Sequence, residues 1–254
     1  MNDLDLSKIK TVFFVGVGGI GISAIARIML QEGKNVFGSD IGESGIVDEL
    51  KKLGAKIKIG QGMELIPKDV DLIIYSIAIP KYDSEFFRKL ENLGVSVRSY
   101  PEMLGKITEN KYTIAISGTH GKTTVTAMIA KILIDAGRDP SVIVGSLLKD
   151  SKSNLIMGKS DLFIVEACEY ERSFLNLRPK ILVITNIETD HLDYYKDLAD
   201  IQNAFNQLIS QSENVIQDYT KYLDKIPKLA VPGEHNRQNA AAASPNTAHL
   251  TRAA

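Results

Sequence analysis

One cysteine, Cys168, stands in 254 residues, so no internal disulfide can staple the fold and a reducing compartment is expected. Charge of neither sign prevails: 30 Lys and Arg stand against 31 Asp and Glu, with no long basic block. A nucleic-acid surface therefore has no electrostatic support. Long apolar runs are missing too. No stretch approaches the roughly 20 residues that span a bilayer, and Met1 to Lys10 is charged, without the apolar core of a signal peptide. These absences predict a soluble α/β protein of the cytoplasm, with neither membrane nor nucleic acid among its partners. The length suggests two domains, each burying its own core.

What is present is punctuation by glycine. Tyr112 to Ser117 is a β-branched, apolar run that enters Gly118-Thr119-His120-Gly121-Lys122-Thr123-Thr124, after which Val125 to Ala136 has helical character. Such a turn cradles phosphates. Glycines let backbone N–H groups converge on phosphate oxygens, and the helix N-terminus adds its positive dipole. Lys122 would reach the β- and γ-phosphates, and the Thr123 hydroxyl would ligate Mg²⁺. The loop is shorter than the full G-x-x-x-x-G-K-[ST] pattern, because position 116 is Ile.

A second glycine turn lies upstream. The strand Val12 to Val15 leads into Gly16-Val17-Gly18-Gly19-Ile20-Gly21 and the apolar-periodic segment Ile22 to Gln31. That is G-x-G-x-x-G between strand and helix, the fingerprint of a dinucleotide fold. The next strand, Asn35 to Gly38, ends at Ser39-Asp40, where an acid commonly meets a ribose hydroxyl. The bland alternatives are a tight turn that packs helix on strand and an ordinary strand-end cap. Short apolar strands and helices then alternate to about Val97, which predicts a parallel, doubly wound sheet. Taken alone, the first turn fits an NAD(P) oxidoreductase and the second an NTPase. Neither class needs both.

Beyond the second turn, the strand Leu162 to Val165 ends in Glu166-Ala167-Cys168-Glu169-Tyr170-Glu171. A carboxylate at a strand tip beside a phosphate loop is where a Mg²⁺ ligand belongs. Glu166 follows the buried run directly; Glu169 and Glu171 read as solvated loop charges, and Cys168 as a small buried residue. The strand Ile181 to Ile184 ends in Thr185-Asn186-Ile187-Glu188-Thr189-Asp190-His191-Leu192-Asp193. His191 is a candidate ligand for a second Mg²⁺ or a phosphate, or else it sits at a helix start capped by Asp190. After the helix Asp200 to Ile209, Gln211 to Leu229 is poorly patterned. Gly233-Glu234-His235-Asn236-Arg237-Gln238-Asn239-Ala240 then opens an alanine run, with Asn236 and Asn239 on one helix face.

Four of these stretches, from Gly118, Glu166, Thr185 and Gly233, resemble the signatures of the Mur ligases in order. These are the ATP-dependent amide-forming enzymes of peptidoglycan precursor synthesis. The start Phe14 to Ser23, Gly38-Ser39-Asp40 and Tyr75-Ser76-Ile77-Ala78-Ile79-Pro80 are similar to the branch that joins L-alanine to UDP-N-acetylmuramate. A murein-tripeptide recycling branch is similar overall. The resemblance implies a Rossmann-like UDP-sugar domain over residues 1–108 and a P-loop central ATP domain over 109–243. Each would be a parallel sheet flanked by helices; the tail, 244–254, has no pattern of its own and is expected to be disordered. It implies ATP and Mg²⁺ as cofactors, UDP-N-acetylmuramate and L-alanine as substrates, and an acyl-phosphate intermediate. The implied substrate-binding residues are Gly16, Gly18, Gly19, Ile20, Gly21, Ser39, Asp40, Ser76 and Ala78. ATP would meet Gly118, Thr119, His120, Gly121, Lys122, Thr123, Thr124, Asn186, Asn236 and Asn239. Lys122, Glu166 and His191 would be catalytic, with Thr123, Glu166 and His191 on metal.

Three departures carry further expectations. Leu198 to Thr220 contains no lysine, which fits the alanine-adding branch, whereas sister ligases place a carbamylated lysine there. The segment between Ile209 and Val231 is shorter than the family's. The family's third domain, a lid over ATP, has no counterpart in the chain, which predicts impaired turnover or a lid supplied by a separate chain. A substrate-holding fragment and a nucleotide-sugar module with a degenerate ATP domain are the alternatives.

Overall fold

The computed structural model describes residues 4–147 and 153–251, with side chains as far as Ser244. The middle of the polar turn expected between Val144 and Lys159, and the last three residues of the tail, lie outside that range. Two compact units divide the chain. The first comprises residues up to Met103 together with Leu147–Asn154, and the second comprises Leu104–Ser146 and everything from Leu155.

In the first unit, β1 (Thr11–Val15), α1 (Ile20–Gln31), β2 (Asn35–Asp40), α2 (Gly45–Lys52) and β3 (Lys56–Ile59) form one winding. The other comprises β4 (Leu72–Tyr75), α3 (Ile79–Tyr82), α4 (Ser84–Glu91) and β5 (Ser96–Ser99). The sheet order is β3-β2-β1-β4-β5, and every pairing is parallel. The order reverses at β1, so the ends of β1, β2 and β4 flank the switch point where α/β sheets bind ligands. Alternation puts Phe13 and Val15 on one face of the sheet, where they pack with Ile73, Ile79, Phe86 and Leu90. Helix starts are set locally. Ser44 accepts from Val47 N at the head of α2 and Asp83 from Phe86 N at α4, caps worth about 1 kcal/mol each.

The contribution of Leu147–Asn154 to this unit has a specific anchor. Arg27, 3% exposed on α1, is held by Glu49 through Nε (3.2 Å) and Nη2 (2.5 Å). Its remaining Nη1 donates to Asn154 Oδ1 at 2.9 Å, and Asn154 Nδ2 donates to Ile20 O at 2.6 Å. A buried guanidinium must satisfy its donors, and this downstream asparagine completes the set.

From α5 (Tyr100–Thr108) the chain enters the second unit through β6 (Tyr112–Ser117), α6 (Lys122–Asp135), β7 (Ser141–Ile143), β8 (Leu155–Ile156) and β9 (Leu162–Glu166). After a 3₁₀ segment (Tyr170–Asn176) come β10 (Ile181–Ile184), α7 (Leu198–Ser210), β11 (Asn214–Ile216), a second 3₁₀ segment (Thr220–Lys225) and α8 (Glu234–Thr251). The sheet runs β11-β10-β6-β9-β7-β8, parallel except for the β7–β8 edge. Strands β6, β9 and β10 are buried nearly throughout, as the uninterrupted apolar runs of a sheet covered on both faces require.

Two stretches differ from expectation. Gln211 to Leu229 is not without pattern: β11 extends the sheet beside β10, and a 3₁₀ segment follows. The tail, expected to be disordered from Ser244, instead continues α8 to Thr251.

Candidate phosphate and metal site

In the second unit, the tips of β10, β6 and β9 lie side by side, because Ile184 pairs with Ser117 and Ile116 with Glu166. The loop Gly118–Gly121 therefore leaves the sheet between the Thr185-Asn186 tip and the Glu166 tip. Gly118 has φ +130°, and a Cβ there would lie 2.1 Å from Thr185 Oγ1 and 2.8 Å from Asn186 O. Only glycine fits. Gly121, at φ +83°, is the N-cap of α6. Asn186 orders the loop: its carbonyl accepts from Thr119 N at 3.0 Å and its Oδ1 from His120 N at 2.8 Å. Thr185 Oγ1 donates to His120 O at 2.5 Å, and Thr119 Oγ1 accepts from Glu188 N at 2.9 Å.

Lys122 and Thr123 open α6 at this point. Lys122 Nζ donates to Gly118 O (2.5 Å), Thr119 O (3.2 Å) and Glu169 Oε1 (2.9 Å). The Thr123 hydroxyl meets both oxygens of Glu166 at 3.0 and 2.9 Å, and Glu166 Oε2 also accepts from Gly145 N at 2.7 Å. Thr124 is exposed beside them. A hydroxyl and a carboxylate in mutual contact at a loop of this kind are a donor set suited to Mg²⁺.

Glu169 corrects the sequence reading. Instead of a solvated loop charge it is a buried one, 3% exposed. Glu171 and Arg172, both at positive φ, curl the chain after β9 back on itself, and the Tyr195 hydroxyl donates to Glu169 O at 2.5 Å. Burial pushes the Tyr195 phenol up to about 12, against the pull of the Arg172 guanidinium. Cys168, expected to be buried, is exposed; desolvation by the protein around its sulfur, and then the Glu169 carboxylate, push its thiol up. His191 Nε2 lies 3.7 Å from Glu169 Oε1 and 3.9 Å from Asp190 Oδ2. One ligand atom each of Glu169, Asp190 and His191 fall within 4.8 Å of one another. Asp190 caps no helix here. His191 is itself at φ +53°, and α7 begins later, capped by Asp197.

The two asparagines of α8 separate. Asn236 donates to Pro232 O at 3.0 Å, whereas a Cβ on Gly121 would lie 2.5 Å from Asn239 Oδ1. Asn239 therefore abuts the phosphate loop. Beside it, an apolar cleft of about 760 Å³ runs between α6 and α8, lined by Thr123, Met128, Ile132, Ile226, Leu229 and Ala243.

In the first unit, Gly16 (φ +74°) and Val17 donate to Ser39 O, and Gly18 N donates to Asp40 Oδ2 at 2.7 Å. Ser39 is 1% exposed, so its contribution is its carbonyl and not its hydroxyl. Gly19 and Ile20 are exposed at the head of α1, and a Cβ on Gly21 would lie 2.5 Å from the Tyr100 ring. Ser76 and Ala78 follow β4, the Ala78 N–H turned to Ser76 Oγ at 3.5 Å.

A glycine loop on a central parallel strand, with Lys-Thr opening the next helix and a carboxylate on the neighbouring tip, is the arrangement of a P-loop in an α/β protein. The chain belongs to the Mur ligase family: the family model described as the Mur ligase middle domain matches residues 116–226, and that described as the Mur ligase family, catalytic domain, matches residues 11–112. It is 46% identical over 202 residues to a UDP-N-acetylmuramate–L-alanine ligase of Clostridium kluyveri, covering 79% of this chain and 44% of that protein. A protein of the same name from Clostridium tetani is 47% identical over 203 residues, 80% of this chain and 44% of its own length. The crystal structure of UDP-N-acetylmuramate-alanine ligase MurC from Thermotoga maritima superimposes with a TM-score of 0.81 at 27% identity, covering 95% of this chain and 65% of that one. The chain thus spans less than half the length of the curated relatives it matches. No helix among the described residues is long and apolar enough to cross a membrane.

Proposed function

We propose that this chain acts in the ATP-dependent joining of L-alanine to the lactyl carboxylate of UDP-N-acetylmuramate, a cytoplasmic step of peptidoglycan precursor synthesis. One observation carries the reading: Lys122, Thr123, Glu166, Glu169 and His191 converge at one end of the second unit's sheet, while a separate glycine turn stands at the switch point of the first. The names of the similar ligases support the substrates.

A carboxylate is a poor electrophile, so the reaction must first give it a leaving group. Its oxygen attacks the γ-phosphorus of ATP, the bond to ADP breaks, and an acyl phosphate forms. The L-alanine amine attacks the acyl carbon and loses a proton, and phosphate departs from the tetrahedral intermediate. Little covalent work falls to the protein; it positions and neutralises charge. Lys122 turns toward the transferred phosphoryl oxygens, and the loop from Gly118 to Thr124 presents N–H groups and the start of α6. Thr123 and Glu166 would hold one Mg²⁺ and His191 a second, supplying charge neutralisation on the triphosphate. Asn239, against Gly121, is the better placed asparagine for adenine, and the adjacent apolar cleft suits a base. In the first unit, Gly16, Gly18, Gly19, Ile20 and Gly21 take the diphosphate. Asp40 meets the ribose, which requires its Oδ2 to share or release Gly18 N–H.

Phosphate release from ATP and Mg²⁺ is measured with UDP-N-acetylmuramate, with and without L-alanine. Release that requires both substrates is expected. Binding of UDP-N-acetylmuramate without release would make the chain a substrate-holding module.

A further inference from the structure

Arg27 and Asn154 are both buried, and they meet at the head of α1. A guanidinium carries only donors, so Arg27 Nη1, at 2.9 Å, faces the oxygen of the Asn154 amide. That contact fixes the sense of the amide: Oδ1 lies toward Arg27, and Nδ2 donates to Ile20 O at 2.6 Å. Glu49 holds the guanidinium by its Nε and Nη2 edge. Ile20 is the first residue of α1 and belongs to the glycine turn. Its carbonyl shares one planar peptide with the Gly21 N–H, and the two point in opposite directions. In a helix the carbonyl follows the chain, while an N–H of the first turn looks back past the helix start and has no acceptor within the helix. No acidic side chain stands in the first turn of α1 to occupy it. Ile20 O accepts two side-chain hydrogen bonds, from Asn154 and from the Ser23 hydroxyl at 2.7 Å. Both draw electron density to the oxygen and make the opposite N–H a stronger donor.

We propose that Asn154 is a positioning residue for the nucleoside-diphosphate site of the first unit: it locks the Ile20–Gly21 peptide so that the Gly21 N–H is aimed at, and polarised for, a phosphate oxygen. The inference rests on the diphosphate reading of this turn. The turn supplies its own N–H groups, but the side chain that orients this one stands 134 residues downstream, in the Leu147–Asn154 segment that folds with the first unit. Arg27 and Glu49 act one step further back, by keeping the amide from turning over. A reversed amide would set Oδ1 against Ile20 O, two acceptors face to face, and Nδ2 against the guanidinium, two donors face to face. The observed sense is the one both neighbours accept. Asn154 itself touches no ligand; it acts through the peptide it holds.

Nitrogen-15 NMR of the full chain, with calorimetric titration by UDP, tests this. A hydrogen bond accepted by a carbonyl deshields the nitrogen of the same peptide, so the Gly21 ¹⁵N resonance reads the Asn154 contact directly. Asn154→Leu should move that resonance upfield in the ligand-free chain and weaken UDP binding by about tenfold, the weight of one hydrogen bond to a charged group. Because Asn154→Leu leaves Arg27 Nη1 without its acceptor, it is compared with the double variant Arg27→Met/Asn154→Leu, in which both polar partners become apolar. The double variant should melt above Asn154→Leu, yet keep the weakened UDP binding and the upfield Gly21 resonance. Arg27→Met alone leaves the amide its donor and should weaken UDP binding by less than about threefold. A Gly21 resonance unmoved in the folded double variant overturns the proposal, as does UDP binding restored together with the melting temperature. If UDP does not bind the unaltered chain, the diphosphate reading fails, and the ligand-free Gly21 resonance still decides whether Asn154 sets that peptide.

Discussion

The two glycine turns begin alike and end differently. Each leaves a buried parallel strand, passes through glycine at positive φ and enters a helix whose N-terminus faces the sheet end. In the first, the neighbouring strand tip supplies a carboxylate, and Asp40 occupies the Gly18 N–H. In the second, the helix supplies a cation. Lys122 lies folded over the loop carbonyls, while carboxylates from the β9 tip hold it and Thr123. On the proposed function, the glycine pattern makes an anion cradle at each turn, and the neighbouring tips decide which anion. A site with one acid and no cation suits a nucleotide diphosphate with its ribose. A site with a lysine and two carboxylates suits a triphosphate with divalent cations.

The sharpest break in this comparison is Lys122→Ala. A ligand at a hundredfold its Kd stabilises the folded state by about 2.7 kcal/mol. ATP with Mg²⁺ should thus raise the melting temperature of the unaltered chain by several degrees and leave Lys122→Ala unmoved, while the shift caused by UDP-N-acetylmuramate persists in both. A next-largest effect separates the turns by backbone. Gly118→Ala puts a Cβ 2.1 Å from Thr185 Oγ1 at φ +130°, with Asn186 backbone behind it. A loss of about 3 kcal/mol is expected in denaturant unfolding of the second unit. In Gly18→Ala the obstacle is the movable end of Asp40, 2.9 Å away. A loss below about 1 kcal/mol is expected there, with weaker UDP-sugar binding. Equal losses at the two positions would remove the distinction.

The smallest effect concerns the strut beneath Glu169. Tyr195→Phe removes the donor to Glu169 O and should cost about 1 kcal/mol. The Tyr195 phenol is raised from 10.0 to about 12 in the folded protein, so folding favours its neutral form. That contribution is complete below pH 10 and is lost as pH rises toward 12. The unaltered chain should therefore lose stability more steeply than Tyr195→Phe across that alkaline window, as read by melting temperature against pH.

Both turns were legible in the sequence because each is local: strand, glycines and helix succeed one another within about a dozen residues, where periodicity and turn chemistry speak clearly. Glu166 was legible for the same reason, as the first charge after a buried run. Glu169 was not. Its burial depends on positive φ at Glu171 and Arg172 and on a hydroxyl supplied by Tyr195, 26 residues downstream. No local pattern encodes that. Asn154, which reaches back 127 residues to the Arg27 guanidinium, escaped notice in the same way. The Glu-x-x-Glu spacing after β9 was the one available hint, since residues three apart on a tight turn can face the same site.

Calorimetric titration of one preparation with ATP·Mg²⁺ and with UDP-N-acetylmuramate tests the two-cradle account most directly. The account predicts two saturable sites, one for each ligand and neither displacing the other, with Lys122→Ala abolishing the ATP site alone. Competition between the ligands for one site, or ATP binding undiminished by Lys122→Ala, would contradict it.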